Sequence, residues 1–199
     1  MKAEQQQRAG ALPPAPDPAL DPYLDAAARC FTRFGVGRTS VQDIARELGV
    51  NRTTVYRQVG NVRSAALLLV SREVDRILAT LPGRIAGLDG PEAVVELLAT
   101  VIEESLAHPV LQKMLTDERD MIGSLLAGEI PRLFTEITDR IAPLLRLLAG
   151  GGAIADRDPV VVAEWLTRIA VTVMVAEPRG PLRRFLAELL VPALRPYER

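Results

Sequence analysis

"DIARELGVNRTTVYRQV", residues 43–59, starts as an amphipathic helix, stops at a glycine and restarts at once as a polar one. Extended back to Val41, the first half aligns Val41, Ile44, Ala45 and Leu48 on one face at helical spacing. Ala45 stands where a second helix has to cross closely, and a larger side chain there would push the pair apart. Gly49, four residues on, permits the left-handed backbone of a tight turn. Val50 is expected to pin that turn to the core, and Asn51 to cap the next helix. Within Arg52–Val59 only Val55 and Val59 point back, which leaves Arg52, Thr53, Thr54, Tyr56 and Arg57 facing outward.

One short buried helix followed by a polar, outward one is the geometry of a helix-turn-helix, whose second helix lies in the DNA major groove. The residue types fit that task. Arginine bonds guanine with two parallel hydrogen bonds, threonine bonds bases or meets the thymine methyl, and hydroxyls hold phosphates. Tyr56 is read as half core and half phosphate contact, and Arg57 as either a DNA contact or only a solubilising charge. Between Asp21 and Arg63 there are seven arginines against four acids, a local net of 7 − 4 = +3 in a chain of net charge −1. Any nucleic-acid surface must therefore be local, and this segment is where phosphate affinity would arise.

Outward from this stretch, the apolar spacing stays helical and period-two alternation is absent, so the expected fold is all-α with roughly nine or ten helices. Asp21-Pro22 is a start signal, a capping Asp and a proline in the first turn, for a helix to about Phe34, stopped by Gly35. Ser40 and Asp43 have capping-box spacing. Asn61 is expected to cap a longer helix that ends near Leu81 at Pro82-Gly83. Further helices are predicted over Pro91–Ala107, a short segment with Leu111, Met114 and Leu115, then Met121–Ala127, Phe134–Leu148 bent at Pro143, Pro159–Ala176, and Pro181–Leu194 interrupted near Pro192. The division this suggests is a disordered tail over 1–20, a DNA-binding domain over 21–62, and a helical ligand-binding and dimerisation domain over 63–199.

The 48% apolar and 25% charged composition is that of a globular protein. Cys30 is the single cysteine, so no internal disulfide is expected; a reducing cytosol and a small buried residue fit it. The apolar runs fall short of the about 20 residues that span a membrane, and the first residues lack the apolar centre of a signal peptide. A cytoplasmic protein is expected.

Leu24–Asn61, "LDAAARCFTRFGVGRTSVQDIARELGVNRTTVYRQVGN", resembles the DNA-binding domain of the TetR family of bacterial transcriptional regulators. The resemblance lies in the Ala-rich first helix with Phe31 and Gly35, then "TSVQDIA", "LGV" and "TTVYRQV". "DPVVVAEW" and "PLRRFLAELLVPAL" are also similar to the ends of many members. It implies a homodimeric repressor that leaves its palindromic operator when a small ligand binds. The DNA-contact candidates are Thr39, Ser40, Gln42, Asn51, Arg52, Thr53, Thr54, Tyr56, Arg57 and Arg63. Two departures stand out: Val59 replaces a usual aromatic residue, and Val62-Arg63 replaces a frequent Lys-Glu. Either Arg63 takes over the lysine's phosphate contact one position later, or that contact is absent.

Leu98, Ile102, Leu106, Met114, Met121, Leu125, Phe134, Ile137 and Trp165 are the candidates for lining a largely apolar effector site. Leu166, Ile169, Val173, Leu182, Phe185, Leu186 and Leu189, with Trp165, offer more apolar surface than one helix pair needs, so the last two helices are the expected dimer interface, a four-helix arrangement. His108, before Pro109, reads as a capping residue, Glu103 and Glu104 as a solvated face, and "TDERD" as a surface turn. No nucleophile, metal-ligand or phosphate-loop pattern is present, so neither an enzyme nor a cofactor is expected. The alternatives are a ligand-independent DNA-binding protein controlled by a protein partner, or an all-α small-molecule carrier.

Overall fold

Caps, glycines and prolines set most helix boundaries in the computed structural model, which describes residues 15–88, 90–118 and 130–196. Among those residues there are nine α-helices and no strand. After a 3-10 turn at Pro18–Leu20, the helices are α1 (Asp21–Phe34), α2 (Val41–Leu48), α3 (Arg52–Val59), α4 (Val62–Arg84), α5 (Gly90–Ala107), α6 (Pro109–Asp117), α7 (Ile130–Gly150), α8 (Pro159–Val175) and α9 (Leu182–Leu194). The expected helix over Met121–Ala127 lies outside the described residues, as does most of the expected tail.

Several expectations need correction. Asp21 is the first residue of α1 rather than its cap; the capping side chain is Asp17, which accepts from the Ala19 amide at the 3-10 turn. Pro82 does not end α4, which continues to Arg84. Its missing N–H and its ring disturb the turn before it, and the helix runs only two residues beyond it. Pro192 is likewise carried inside α9. Glu103 and Glu104 are not merely solvated: each meets an arginine, Arg183 and Arg84 respectively.

The chain packs as two compact units, one of residues 15–76 with 107–118, the other of 77–106 with 133–196. In the first unit Leu24, Phe31, Ile44, Ala45 and Val55 have no exposed surface, and Val59, Ala65, Leu69 and Val110 join their cluster. Burying one Leu, Ile or Phe contributes about 1.5–3 kcal/mol, so this cluster holds three short helices without a disulfide. Cys30 sits within it as a free thiol, and burial raises its pKa. Arg72 of α4 bonds Asp21 at 3.1 Å and Asp25 at 2.9 Å, fastening α1 by two carboxylates one turn apart. His108 caps α6, its Nδ1 accepting from the Val110 amide at 3.3 Å.

In the second unit the buried residues recur every three or four positions: Val94, Leu98 and Ile102 on α5, Ile141 and Leu145 on α7, Val162, Leu166, Ala170 and Val173 on α8, and Leu186, Leu190 and Leu194 on α9. That is the stripe a helix turns toward a core. Arg183 of α9 grips both oxygens of Glu96 on α5, at 2.8 and 3.0 Å, and the hydrogen bonds hold the Glu96 carboxyl below its ordinary pKa. Among the described residues no helix is long and apolar enough to cross a membrane.

Candidate nucleic-acid interface

The interface starts with how α2 is capped. Ser40 is extended at the N-cap; its hydroxyl accepts from the Asp43 amide at 3.2 Å while the Asp43 carboxylate accepts from the Ser40 amide at 2.9 Å. This reciprocal pair satisfies two orphan backbone donors. Hydrogen bonds from the Ser40 hydroxyl and then its amide hold the Asp43 carboxyl below its usual range.

At the other end of α2, Gly49 has φ 70 and ψ 26. Its amide donates to the Arg46 carbonyl, and the Val50 amide reaches back to the Ala45 carbonyl at 3.0 Å. This pair of bonds is a Schellman turn, which needs the left-handed residue that glycine supplies. Val50 is 38% exposed, so the turn is pinned by its amide and not by its side chain.

Asn51 then caps α3, its Oδ1 accepting from the Thr54 amide at 2.9 Å and the Thr54 hydroxyl at 3.1 Å. Val55 and Val59 are buried. At about 100° per residue, Arg57 lies opposite those two valines and Thr53 close beside that direction. Arg52, Thr53, Tyr56, Arg57 and Gln58 are all exposed, and Thr54 is half-buried. Tyr56 is 59% exposed, so most of its side chain is open to a partner.

The other DNA-contact candidates differ in exposure and in the bonds that involve them. Gln42 and Arg63 are exposed. Thr39 is buried, its hydroxyl donating to the Gly35 carbonyl at 2.6 Å. The Ser40 hydroxyl donates to Asp43 at 2.6 Å. Thr39, Ser40, Asn51 and Thr54 thus hold the motif's shape first.

The charges divide the same way. Arg29 and Arg33 meet Glu47, Arg46 meets Asp43, and Arg38 donates to the Phe34 carbonyl. Arg52 and Arg57 have no ion-pair partner among the described residues, so α3 presents two guanidinium groups with no carboxylate bonded to them.

One contact was invisible in the sequence pattern. Glu118, within the segment read as a surface turn, accepts hydrogen bonds from the amides of Val36 and Gly37, each at 2.9 Å. It lies 81 and 82 positions away along the chain, and no local spacing signals such a pair.

Of the effector-site candidates, Leu98 and Ile102 are buried in the second unit's core, with Leu106 and Ile137 packed against it. Phe134 belongs to the same unit, its ring 5.6 Å from the Arg168 guanidinium carbon. Met114 packs in the first unit's core instead, and Trp165 is exposed. Met121 and Leu125 lie outside the described residues. Thr138, which the apolar pattern passed over, is buried, and its hydroxyl has no hydrogen-bond partner among the described residues.

Of the interface candidates, Leu166, Val173 and Leu186 are already buried within one chain, Ile169 and Leu182 partly so, and Phe185 and Leu189 are exposed. Val161 and Val175 of α8 are also exposed, at 59% and 54%. Among the described residues no group of His, Cys, Asp and Glu could hold a metal ion.

Two short helices packed on one core that buries Ala45, joined by a Schellman turn and presenting an exposed polar face, define a helix-turn-helix DNA-binding protein. Residues 24–61 match the family model described as bacterial regulatory proteins, tetR family. The chain belongs to that family and is a DNA-binding transcriptional regulator. An uncharacterized HTH-type transcriptional regulator of Mycobacterium tuberculosis is 27% identical to it over 184 residues, 89% of this chain and 86% of the relative. The HTH-type transcriptional regulator AlkX of the same species is 24% identical over 180 residues, 86% of this chain and 83% of the relative. Among solved structures, the TetR family repressor AlkX from Dietzia sp. shares the fold, with a TM-score of 0.64 at 19% identity over 86% of this chain and 93% of that one.

Proposed function

We propose that this regulator is a homodimeric repressor whose residues 21–62 bind a palindromic operator and whose residues 63–199 dimerise and take up a small, largely apolar effector. The observation that carries the DNA reading is the capped α3 that offers Arg57, Thr53 and Arg52 with no competing carboxylate. Thr53 and Arg57 are assigned to base edges because they stand farthest from the buried valines. Arg52, Tyr56 and Arg63 are assigned to phosphates, with Gln42 at the start of α2. Thr39, Ser40, Asn51 and Thr54 contribute by fixing the backbone around them.

Dimerisation is supported by the apolar side chains of α8 and α9 left outside the core, Val161, Trp165, Phe185 and Leu189. The effector site is supported by the Leu98, Ile102 and Ile137 region together with Thr138. A buried hydroxyl without a partner is costly unless something bonds it, so it supplies a polar anchor that an apolar ligand with one oxygen would use. Such a ligand releases DNA only to the extent that it prefers the conformation with mis-spaced recognition helices.

Selection of bound sequences from a random duplex library, followed by titration of the winner at several salt concentrations, tests this reading. A two-fold symmetric winner bound far above random DNA is the expected result. Weak, sequence-blind binding by a folded dimer would sink it and favour the carrier alternative.

A further inference from the structure

Glu118 joins the end of α6 to the turn that launches α2. Its Oε2 accepts from the Val36 amide and its Oε1 from the Gly37 amide, so both oxygens are engaged by two successive backbone N–H groups. Convergent amides of this kind form a cradle for an anion. Gly35 makes room for it: a Cβ at that position would lie 2.6 Å from Glu118 Oε1 and 2.7 Å from its Cδ, and the φ of 86 is one that side-chain-bearing residues rarely adopt. The turn is therefore shaped around a carboxylate.

From there the bonds run directly into the DNA-binding motif. The Thr39 hydroxyl donates to the Gly35 carbonyl, and the next residue, Ser40, caps α2. On its other side, the Glu118 amide closes α6 by donating to the Met114 carbonyl at 3.0 Å, and Met114 packs against the core that buries Ile44 and Val55.

We propose that Glu118 is a positioning residue for sequence-specific DNA binding: its carboxylate fixes the α1–α2 turn and thereby the presentation of α3. The inference rests on the DNA-binding reading above. It is separable from electrostatics because the two effects have opposite signs. Glu118→Gln removes a negative charge, which on Coulomb grounds strengthens attraction to phosphates. The amide also offers one acceptor oxygen where the carboxylate has two, and turns an NH₂ toward the second backbone donor.

The test compares the full-length wild type, Glu118→Gln and Glu118→Asp. Each is titrated with the selected operator and with an unrelated duplex, and amide hydrogen exchange is followed at Val36 and Gly37. For Glu118→Gln the ratio of specific to non-specific affinity is expected to fall about tenfold, the worth of a charge-assisted hydrogen bond. Binding to the unrelated duplex should hold or tighten, and both amides should exchange faster. Glu118→Asp, which keeps the charge, should restore part of the ratio.

An unchanged ratio with faster exchange would reduce the contact to a structural one and overturn the proposal, as would unchanged exchange. Equal loss on both duplexes would overturn it too. A wild type that selects no operator would instead remove the DNA reading and this inference together, whereas a selective wild type with an unaffected Glu118→Gln removes only the inference.

Discussion

Arg57 and Thr53 are one helical turn apart on α3, on the side away from Val55 and Val59, while Arg52 stands at the first turn nearer the core side. The three exposed side chains therefore meet a duplex differently, although composition alone treats the two arginines alike. A guanidinium aimed along the axis of approach can reach guanine O6 and N7 together, and one on the flank meets the backbone. Arg57→Ala is expected to cost about 1–3 kcal/mol on the selected operator and to relax the base preference at one position of each half-site. Arg52→Ala is expected to weaken all duplexes alike and to lower the steepness of the salt dependence by about one. Affinity titrations on the operator and on single-base variants check both. A uniform loss for Arg57→Ala, with the preference relaxed by Arg52→Ala, would exchange the two roles.

The elements are where sequence and structure agree most closely, because a cap is a local event. Ser40 with Asp43, Gly49, Asn51 and Asn61 all act as their spacing indicates, since each needs only a backbone donor or a φ angle within a few residues. His108 belongs with them and carries a pH consequence. Burial, the largest influence, holds its pKa below the ordinary 6.5; Glu73 opposes that, and Arg76 and Arg72 add to it. The unfolded chain thus binds the proton more readily than the folded one, so the stability this histidine contributes is present above about pH 6.5 and lost as pH falls toward the folded value. The chemistry is direct: only a neutral Nδ1 can accept from the Val110 amide. Thermal unfolding followed between pH 7.5 and pH 5, a range chosen to bracket the ordinary imidazole pKa, should show the melting temperature of the wild type falling across this window. His108→Asn, which keeps a capping oxygen but does not titrate, should flatten the fall. An undiminished slope in that variant would place the sensitivity in another group. What spacing could not reveal are contacts that close over long separations. Glu118 reaches Val36 and Gly37 from 82 and 81 positions away, and Met114 packs with the first unit although its neighbours on the expected lining belong to the second.

At the scale of the whole molecule the same limit governs the dimer. Helical periodicity on α8 and α9 identifies apolar residues but not which stripe meets the chain's own core and which meets a partner. The structure separates the stripe buried in the chain's own core from the one left exposed. Leu166, Val173 and Leu186 complete the monomer core, while Val161, Trp165, Phe185 and Leu189 remain exposed on helices that also carry the ion pairs Glu164–Arg168 and Arg184–Glu188. An apolar strip with a charged rim is the profile of a protein interface, and its burial in pairs would supply the association energy. One α3 reads only a few base pairs, so two half-sites about 34–36 Å apart need two chains. The double variant Trp165→Glu with Leu189→Glu should therefore sediment as a monomer and keep the wild-type helical content, since neither side chain completes the core. Its affinity for the two-fold operator should collapse toward that for an isolated half-site, because binding free energies of the two halves no longer combine. Leu186→Glu provides the contrast: a charge at a position with no exposed surface should unfold the second unit rather than split a folded dimer. A double variant that stays dimeric, with operator affinity intact, would move the interface to another face and leave the exposed tryptophan without its partner.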